Sequence, residues 1–309
     1  MLTARAAAFL AEIRGLDLPP LWQTPVDQTR ASFEKSVPAL FGEPPVVASV
    51  TDQTVDGVPI RVYMATEHAA PGALIYMHGG GWVVGSIRSH DSLCRALAAR
   101  SHQAVVSVGY RLAPEHPFPA AIEDAWTVTR WASGRWENLA VGGDSAGGQL
   151  AASVALRARD ADLALRLQAL IYPVTNHNFE TGSYAEFGDL ETLTEAEMRW
   201  FWSTYMAAGA GLPETDHSPL RAIDFTGLAP ALVITAECDL LRDDGEAYAE
   251  RLRSAGVETT LHRYAGMIHG FIRMPAVLDQ ASTAIDEVAH AVESACTGAA
   301  PPVSTPGVG

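Results

Sequence analysis

Leu139-Ala140-Val141-Gly142-Gly143-Asp144-Ser145-Ala146-Gly147-Gly148 passes from an apolar run, through one serine among glycines, into a helical pattern that continues to Arg157. The short Leu139–Val141 run reads as a strand covered on both faces. Gly143-Asp144-Ser145-Ala146-Gly147 has the Gly-x-Ser-x-Gly spacing of a sharp, strained strand-to-helix turn. In such a turn the neighbours of the serine must lack side chains that would collide with strand and helix. The turn aims Ser145 Oγ out of the sheet. It also sets the Ala146 N–H at a helix N-terminus, where backbone donors are unpaired and the helix dipole favours negative charge. A phosphate-cradling loop would need a Lys-Ser/Thr pair next, and none follows. A purely structural tight turn is the plain alternative, so other stretches have to decide.

Upstream, His78-Gly79-Gly80-Gly81-Trp82 directly follows the apolar strand Ala73–Met77. Successive glycines let backbone N–H groups approach a substrate oxygen and face the charge that develops on it. A merely flexible turn explains neither that position nor the pairing with the serine turn. Downstream, a serine nucleophile needs a base, and the base an orienting acid. On strand-turn-helix scaffolds of this kind the order is serine, acid, histidine. His269, in Gly266-Met267-Ile268-His269-Gly270-Phe271, lies past the last strand and beside a glycine, whereas His262 reads as mid-strand and His290 as mid-helix. For the acid, Asp239 lies beyond the strand Ala231–Thr235. Asp243 and Asp244 look like helix-start residues, and Glu237 is the more serious rival.

These stretches, with Tyr110-Arg111-Leu112-Ala113-Pro114-Glu115-His116-Pro117-Phe118-Pro119-Ala120, together resemble the bacterial hormone-sensitive-lipase-like esterases, often called family IV. The resemblance covers roughly residues 45–294. It implies an α/β-hydrolase fold, a mostly parallel, doubly wound sheet with a helical cap, and hydrolysis of short-to-medium acyl esters. It also implies Ser145, Asp239 and His269 as the catalytic residues, with the N–H groups of Gly79, Gly80 and Ala146 as the oxyanion hole. One departure is visible: the family usually has proline after the catalytic acid, and this chain has Leu240. Two further functions stay open. The same triad can cleave amides or N-acetyl groups. The fold also hosts non-catalytic receptors for small molecules, although the plant gibberellin receptors lack the catalytic histidine that His269 supplies here.

Around the motifs, strands and helices alternate. Thr3–Arg14 and Val26–Phe41 read as amphipathic helices separated by prolines, and Val46–Thr54 with Val58–Met64 as a hairpin about Asp56-Gly57. Strands at Ala104–Val108, Leu167–Ile171 and Thr259–Tyr264 alternate with helices near Asp91–Arg100, Ala120–Trp131, Asp244–Ser254 and Leu278–Ser294, the signature of a parallel sheet. The alternation pauses over 176–226, which holds a helical piece near Thr194–Met206 and reads as an inserted segment. The expected organisation is therefore 1–45 as the first part of a cap, 46–175 and 227–296 as the core, and 176–226 as the rest of the cap. Residues 297–309, rich in Pro, Gly, Ser and Thr, read as a disordered tail.

The cap is aromatic, with Trp200, Phe201, Trp202 and Tyr205 at spacings that put some on one helical face and Trp22 and Trp82 nearby; of these Trp82, Trp202 and Tyr205 are expected to touch substrate, against the plain reading of cap-to-core packing. Arg111, Glu115 and Asp124 are expected to form a paired network under the site.

A chain of 309 residues, 48% apolar and 18% charged, suits a folded enzyme. Its net charge of −15, with Lys35 the only lysine, should repel nucleic acid and anionic membrane. No run approaches the roughly 20 apolar residues of a membrane span, and Ala6–Ala11 is too short for a secretory leader, so a cytoplasmic protein is expected. Cys94, Cys238 and Cys296 suggest buried thiols rather than disulfides or zinc. No cofactor or metal is expected; the partner is a small-molecule ester, and a homodimer through an exposed edge strand is compatible with the pattern.

Overall fold

The computed structural model describes residues 1–68, 70–207 and 213–298. Eight strands among them form one sheet: β1 (Ser49–Val55), β2 (Val58–Met64), β3 (Gly72–Met77), β4 (Ala104–Val108), β5 (Asn138–Asp144), β6 (Leu167–Ile171), β7 (Ala231–Cys238) and β8 (Thr259–Ile268). The spatial order is β1-β2-β4-β3-β5-β6-β7-β8. β1, β2 and β4 pair antiparallel, and every later pairing is parallel. The two-residue turn between β1 and β2 has positive φ at both Asp56 (47°) and Gly57 (88°), which matches the right-handed twist of the flanking strands. β3, β4 and β6 are buried at every residue. Ala73, Ile75 and Met77 of β3 enter one core and Leu74 and Tyr76 the other, the period-two pattern of a sheet covered on both faces.

Three helices precede the sheet: α1 (Ala4–Gly15), α2 (Val26–Lys35) and α3 (Val37–Phe41). Its connections carry α4 (Asp91–Ser101), α5 (Ala120–Ser133), α6 (Ala146–Asp160), α7 (Gly182–Phe187), α8 (Glu195–Tyr205) and α9 (Arg242–Ser254), and α10 (Asp279–Thr297) closes the chain's described part. α4 and α10 cover one face, and α5, α6 and α9 the other. The expected helix over 26–41 is broken into α2 and α3 because Pro38, in the first turn of α3, has no N–H to continue the ladder. The hairpin's first strand starts at Ser49 rather than Val46, which follows Pro44-Pro45 and is 93% exposed.

β7 and β8 outrun their apolar cores, by three residues to Cys238 and four to Ile268, past Glu237 and Gly266, which break the pattern on which the sequence boundaries rest. The extensions matter because they carry Asp239 and His269 to the carboxyl edge of the sheet. α10 runs through Thr297 and ends at Gly298 in the left-handed region, so the helix enters the stretch expected to be disordered. The rest of that stretch, 299–309, lies outside the described residues. The 176–226 segment contains α7 and α8, the latter opened by a capping box in which Thr194 and Glu197 satisfy each other's backbone donors.

Candidate active site

Ser145 joins β5 to α6 with φ 56° and ψ −119°, a conformation that side-chain-bearing residues avoid. Its N–H donates to the Ile171 carbonyl at 2.8 Å, and its own carbonyl accepts from Gln149 at 3.1 Å. The glycines on either side are steric necessities: a Cβ at Gly143 would lie 2.4 Å, and one at Gly147 2.0 Å, from the Met77 carbonyl oxygen. The strained turn brings Ser145 Oγ to 3.0 Å from His269 Nε2. On the other side of the ring, His269 Nδ1 lies 2.7 Å from Asp239 Oδ2. A carboxylate acceptor there places the neutral ring's proton on Nδ1 and leaves Nε2 free to accept from the hydroxyl.

Asp239 is held in turn. Its Oδ1 accepts the Leu241 N–H at 2.9 Å, and its carbonyl accepts from Arg242 at 3.1 Å. This local turn does the work of the absent proline, and Leu240, 1% exposed, anchors it in the core. The rival acids are engaged elsewhere. Glu237 accepts the Gly266 N–H, and Asp243 accepts from Arg242 and Ser183. Asp244 is buried so thoroughly that its pKa is pushed well above the ordinary carboxylate value. His262 pairs with Glu287, and His290 lies on α10 beside Ser294; neither lines the cavity at Ser145.

The glycine run divides into two roles. Gly79 donates its N–H to Asp144 Oδ1 at 3.0 Å, so this predicted donor is turned away from the pocket. Gly80 and Gly81 line the pocket beside Ser145, with φ of 124° and 57° that only glycine adopts without strain. Among the described residues, the N–H groups of Gly80, Gly81 and Ala146 meet no protein acceptor. The free N–H of Gly81 is one the sequence reading did not single out; a run of three identical residues gives no signal of which ones turn inward. Asp144 fixes the run from beneath. It also accepts from Tyr76 Oη at 2.8 Å and lies 3.2 Å from His90 Nε2. Burial alone would raise its pKa, but His90, the Arg273 charge and these donors outweigh it and hold the carboxyl below the ordinary range.

A cavity of about 450 Å³ opens over Ser145 and His269. Phe9, Leu16, Leu18, Leu21 and Phe33 wall it from the N-terminal stretch, and Leu193, Met198 and Phe201 from the 176–226 segment. Trp82, Trp202 and Tyr205, expected at the substrate, are not part of this lining. All three are at most 1% exposed: Trp82 stacks on Tyr205 at 4.4 Å, leans on Trp202 at 4.7 Å and donates Nε1–H to Gln149 at 2.9 Å. What packs opposite each side chain, rather than the helical period, explains the correction. Met198, Phe201, Trp202 and Tyr205 all lie on one broad apolar face of α8, of which Met198 and Phe201 reach the cavity while Trp202 and Tyr205 pack on Trp82 in the core. Of the expected charge network, Arg111 does grip Asp124 in two-pronged fashion (2.7–3.1 Å). Glu115 instead pairs with Arg30 of α2, which also donates to the Val83 and Ala113 carbonyls and so ties α2 to the loop after the glycine run.

Parallel strands with helices on both faces, a strained serine turn after the fifth strand and a His–Asp pair after the last two define an α/β-hydrolase. A family model described as "alpha/beta hydrolase fold" matches residues 74–273. An ethyl acetate hydrolase of Pseudomonas putida is 38% identical, over 89% of this chain and 92% of its own. A carboxylesterase of Mycobacterium tuberculosis is 39% identical over 74% of this chain and 75% of its own. Among solved structures, an ester hydrolase from the metagenome of Lake Arreo, in complex with a bipyridine phosphonate derivative, superposes with a TM-score of 0.87 at 41% identity, covering 95% of this chain and 99% of that one. An esterase from Pyrobaculum calidifontis gives 0.88 at 38%, covering 97% and 99%. The chain belongs to this α/β-hydrolase family, and the resemblance to the hormone-sensitive-lipase-like esterases is borne out.

Proposed function

We propose that the chain is a carboxylic ester hydrolase that works through an acyl-enzyme on Ser145. The observation that carries the reading is the continuous row Asp239–His269–Ser145, with links of 2.7 and 3.0 Å, ending beneath three unpaired N–H groups in an apolar cavity. His269 Nε2 takes the Ser145 proton as Oγ adds to the ester carbonyl. The Gly80, Gly81 and Ala146 N–H groups receive the oxyanion, and Asp239 steadies the imidazolium. His269 then returns the proton to the leaving alcohol, and water, activated by the same ring, releases the acid.

The cavity's size and lining favour short-to-medium acyl groups. Residues 1–45 and 176–226 are read as a cap over a core of 46–175 and 227–296, supported by their joint contribution to the cavity wall. The relatives' names, esterases and ester hydrolases, support the same chemistry. Three free, buried cysteines support a reducing, cytoplasmic setting. No helix among the described residues is long and apolar enough to cross a membrane. A homodimer through an edge strand belongs to the same reading, and light scattering on the eluted protein checks it.

The test is turnover of p-nitrophenyl acetate and butyrate, with anilides in the same panel for the amide alternative. Ser145→Ala should lower kcat by at least about ten-thousandfold and abolish labelling by a fluorophosphonate. Wild-type-like turnover in that variant ends the proposal.

A further inference from the structure

We infer that the esters this site is built for carry a carboxylate, which Arg273 holds inside the cavity; this rests on the ester-hydrolase reading and adds a substrate class to it. Arg273 ends the short 3-10 turn Phe271–Arg273, four residues after His269, and lines the same cavity as Ser145, Gly80 and Gly81. Its Nε is buried without any hydrogen-bond partner. Among the described residues, no carboxylate, carbonyl or hydroxyl hydrogen-bonds to any nitrogen of its guanidinium. The Phe33 ring covers one face, 4.0 Å from Cζ, which leaves the in-plane N–H donors uncovered.

Each carboxylate lining the cavity engages a group other than Arg273. Asp144 receives Tyr76, Gly79 and His90. Glu191 is paired with Arg14 through Oε1, while its Oε2 is buried without a hydrogen-bond partner. Glu197 accepts both the N–H and the hydroxyl of Thr194, at 2.8 and 3.0 Å. Asp144 therefore acts on Arg273 only through space, opposing the burial that pulls the guanidinium below its ordinary pKa.

A guanidinium left this way in a largely apolar cavity is unfavourable unless something that binds there supplies the acceptor. Its planar fork matches two oxygens in a plane, which is the geometry of a carboxylate. A phosphate would call for a second cation beside the guanidinium, and Arg273 is the only Lys or Arg among the cavity's lining residues. Apolar walls between serine and guanidinium suit an aliphatic spacer. Half esters of dicarboxylic acids, and esters of hydroxy acids, have this shape.

The experiment compares free-acid and methyl-capped substrates in the full-length enzyme. p-Nitrophenyl hydrogen succinate, glutarate and adipate are set against their p-nitrophenyl methyl diesters, and 4-butyryloxybutanoate against its methyl ester, with acid release followed by titration. In the wild type, at least one free acid should exceed its capped partner in kcat/KM by about tenfold or more, mostly through KM, as expected for a charge-assisted contact. Arg273→Met should collapse that ratio, and Arg273→Lys should restore part of it, since charge returns without the fork. If the wild type favours every capped ester, the inference falls, and this arm does not depend on how a variant folds. It falls too if Arg273→Met lowers free and capped substrates in equal proportion, because the residue would then merely support Asp144. Failure of the parent reading looks different: no turnover of p-nitrophenyl butyrate and no fluorophosphonate label on Ser145.

Discussion

His78, at the head of the glycine run, lies wholly inside the protein, its ring stacked on Tyr110 at 4.2 Å and its Nδ1 2.9 Å from the Gly79 carbonyl. Burial, reinforced by neighbouring His90, pulls its pKa down to about 3. The folded ring therefore stays neutral where the unfolded one, with an ordinary value of about 6.5, takes up a proton. Between those limits the unfolded state binds more protons, so stability rises with pH and is lost on acidification. Asp144 adds the same sign lower down, its depressed pKa giving stability that is present above the ordinary carboxylate value and lost as pH falls. Melting temperatures from pH 7 to 4 should fall steeply in the wild type. His78→Asn, which can still donate to the Gly79 carbonyl, should flatten that slope by up to about 1.4 kcal/mol per pH unit above the ring's folded pKa. Equal slopes in the two proteins would show that His78 does not exclude its proton. At this scale, residue type and position in the sequence singled out Ser145 and His269, because few residues sit between a strand and a glycine. They did not separate Gly79 from Gly81, whose difference is only in which way each N–H points.

The serine turn shows what an element demands of its residues. Beneath Gly147 lies backbone, the Met77 and His78 carbonyls, rather than the end of a movable side chain. Gly147→Ala should thus shift β3 against α6 and cost more than about 4 kcal/mol, the range of strained or overpacked sites. Gly182→Ala is the control, since its Cβ would stand 3.2 Å from one Asp243 carboxylate oxygen, which can give way. Soluble yield and Tm of the two variants check the contrast, and a Gly147→Ala protein melting like the control would remove the steric account of the motif. The strands were legible for a related reason: with both faces buried, they appear as bare aliphatic runs. Their far ends were not. β7 and β8 continue through Glu237 and Gly266 because ladder hydrogen bonds to a neighbour, rather than apolarity, hold the last residues in line. Asp239 and His269 follow those continuations, so the proposed catalytic pair sits where the periodic signal fades.

For the molecule as a whole, the sheet supplies Ser145, Asp239 and His269, whereas the cavity wall comes from two stretches far apart in the chain. Amphipathic helices over 4–41 and 195–205 were evident in the sequence, but the destination of an apolar face, core or cavity, depends on what packs opposite. That is why the aromatic stripe of α8 divides, Phe201 going to the cavity and Trp202 and Tyr205 to the core. It also explains an oddity of the surface. Leu16 and Leu18 are 64% and 67% exposed, yet both belong to the cavity lining, so they form its rim and hold little of the core together. A Leu16→Ser/Leu18→Ser double variant should leave Tm nearly unchanged, as exposed substitutions do within about 0.5 kcal/mol. Its effect should fall on chain length. Hexanoate carries four more methylenes than acetate, each worth about 0.8 kcal/mol when buried, and only those that reach the rim lose their apolar cover. Loss of roughly one to two methylenes' burial predicts a fall of about 4- to 15-fold in the hexanoate-to-acetate ratio of kcat/KM. p-Nitrophenyl esters from acetate to octanoate measure it, and an unchanged ratio would mean that acyl chains leave the cavity by another wall.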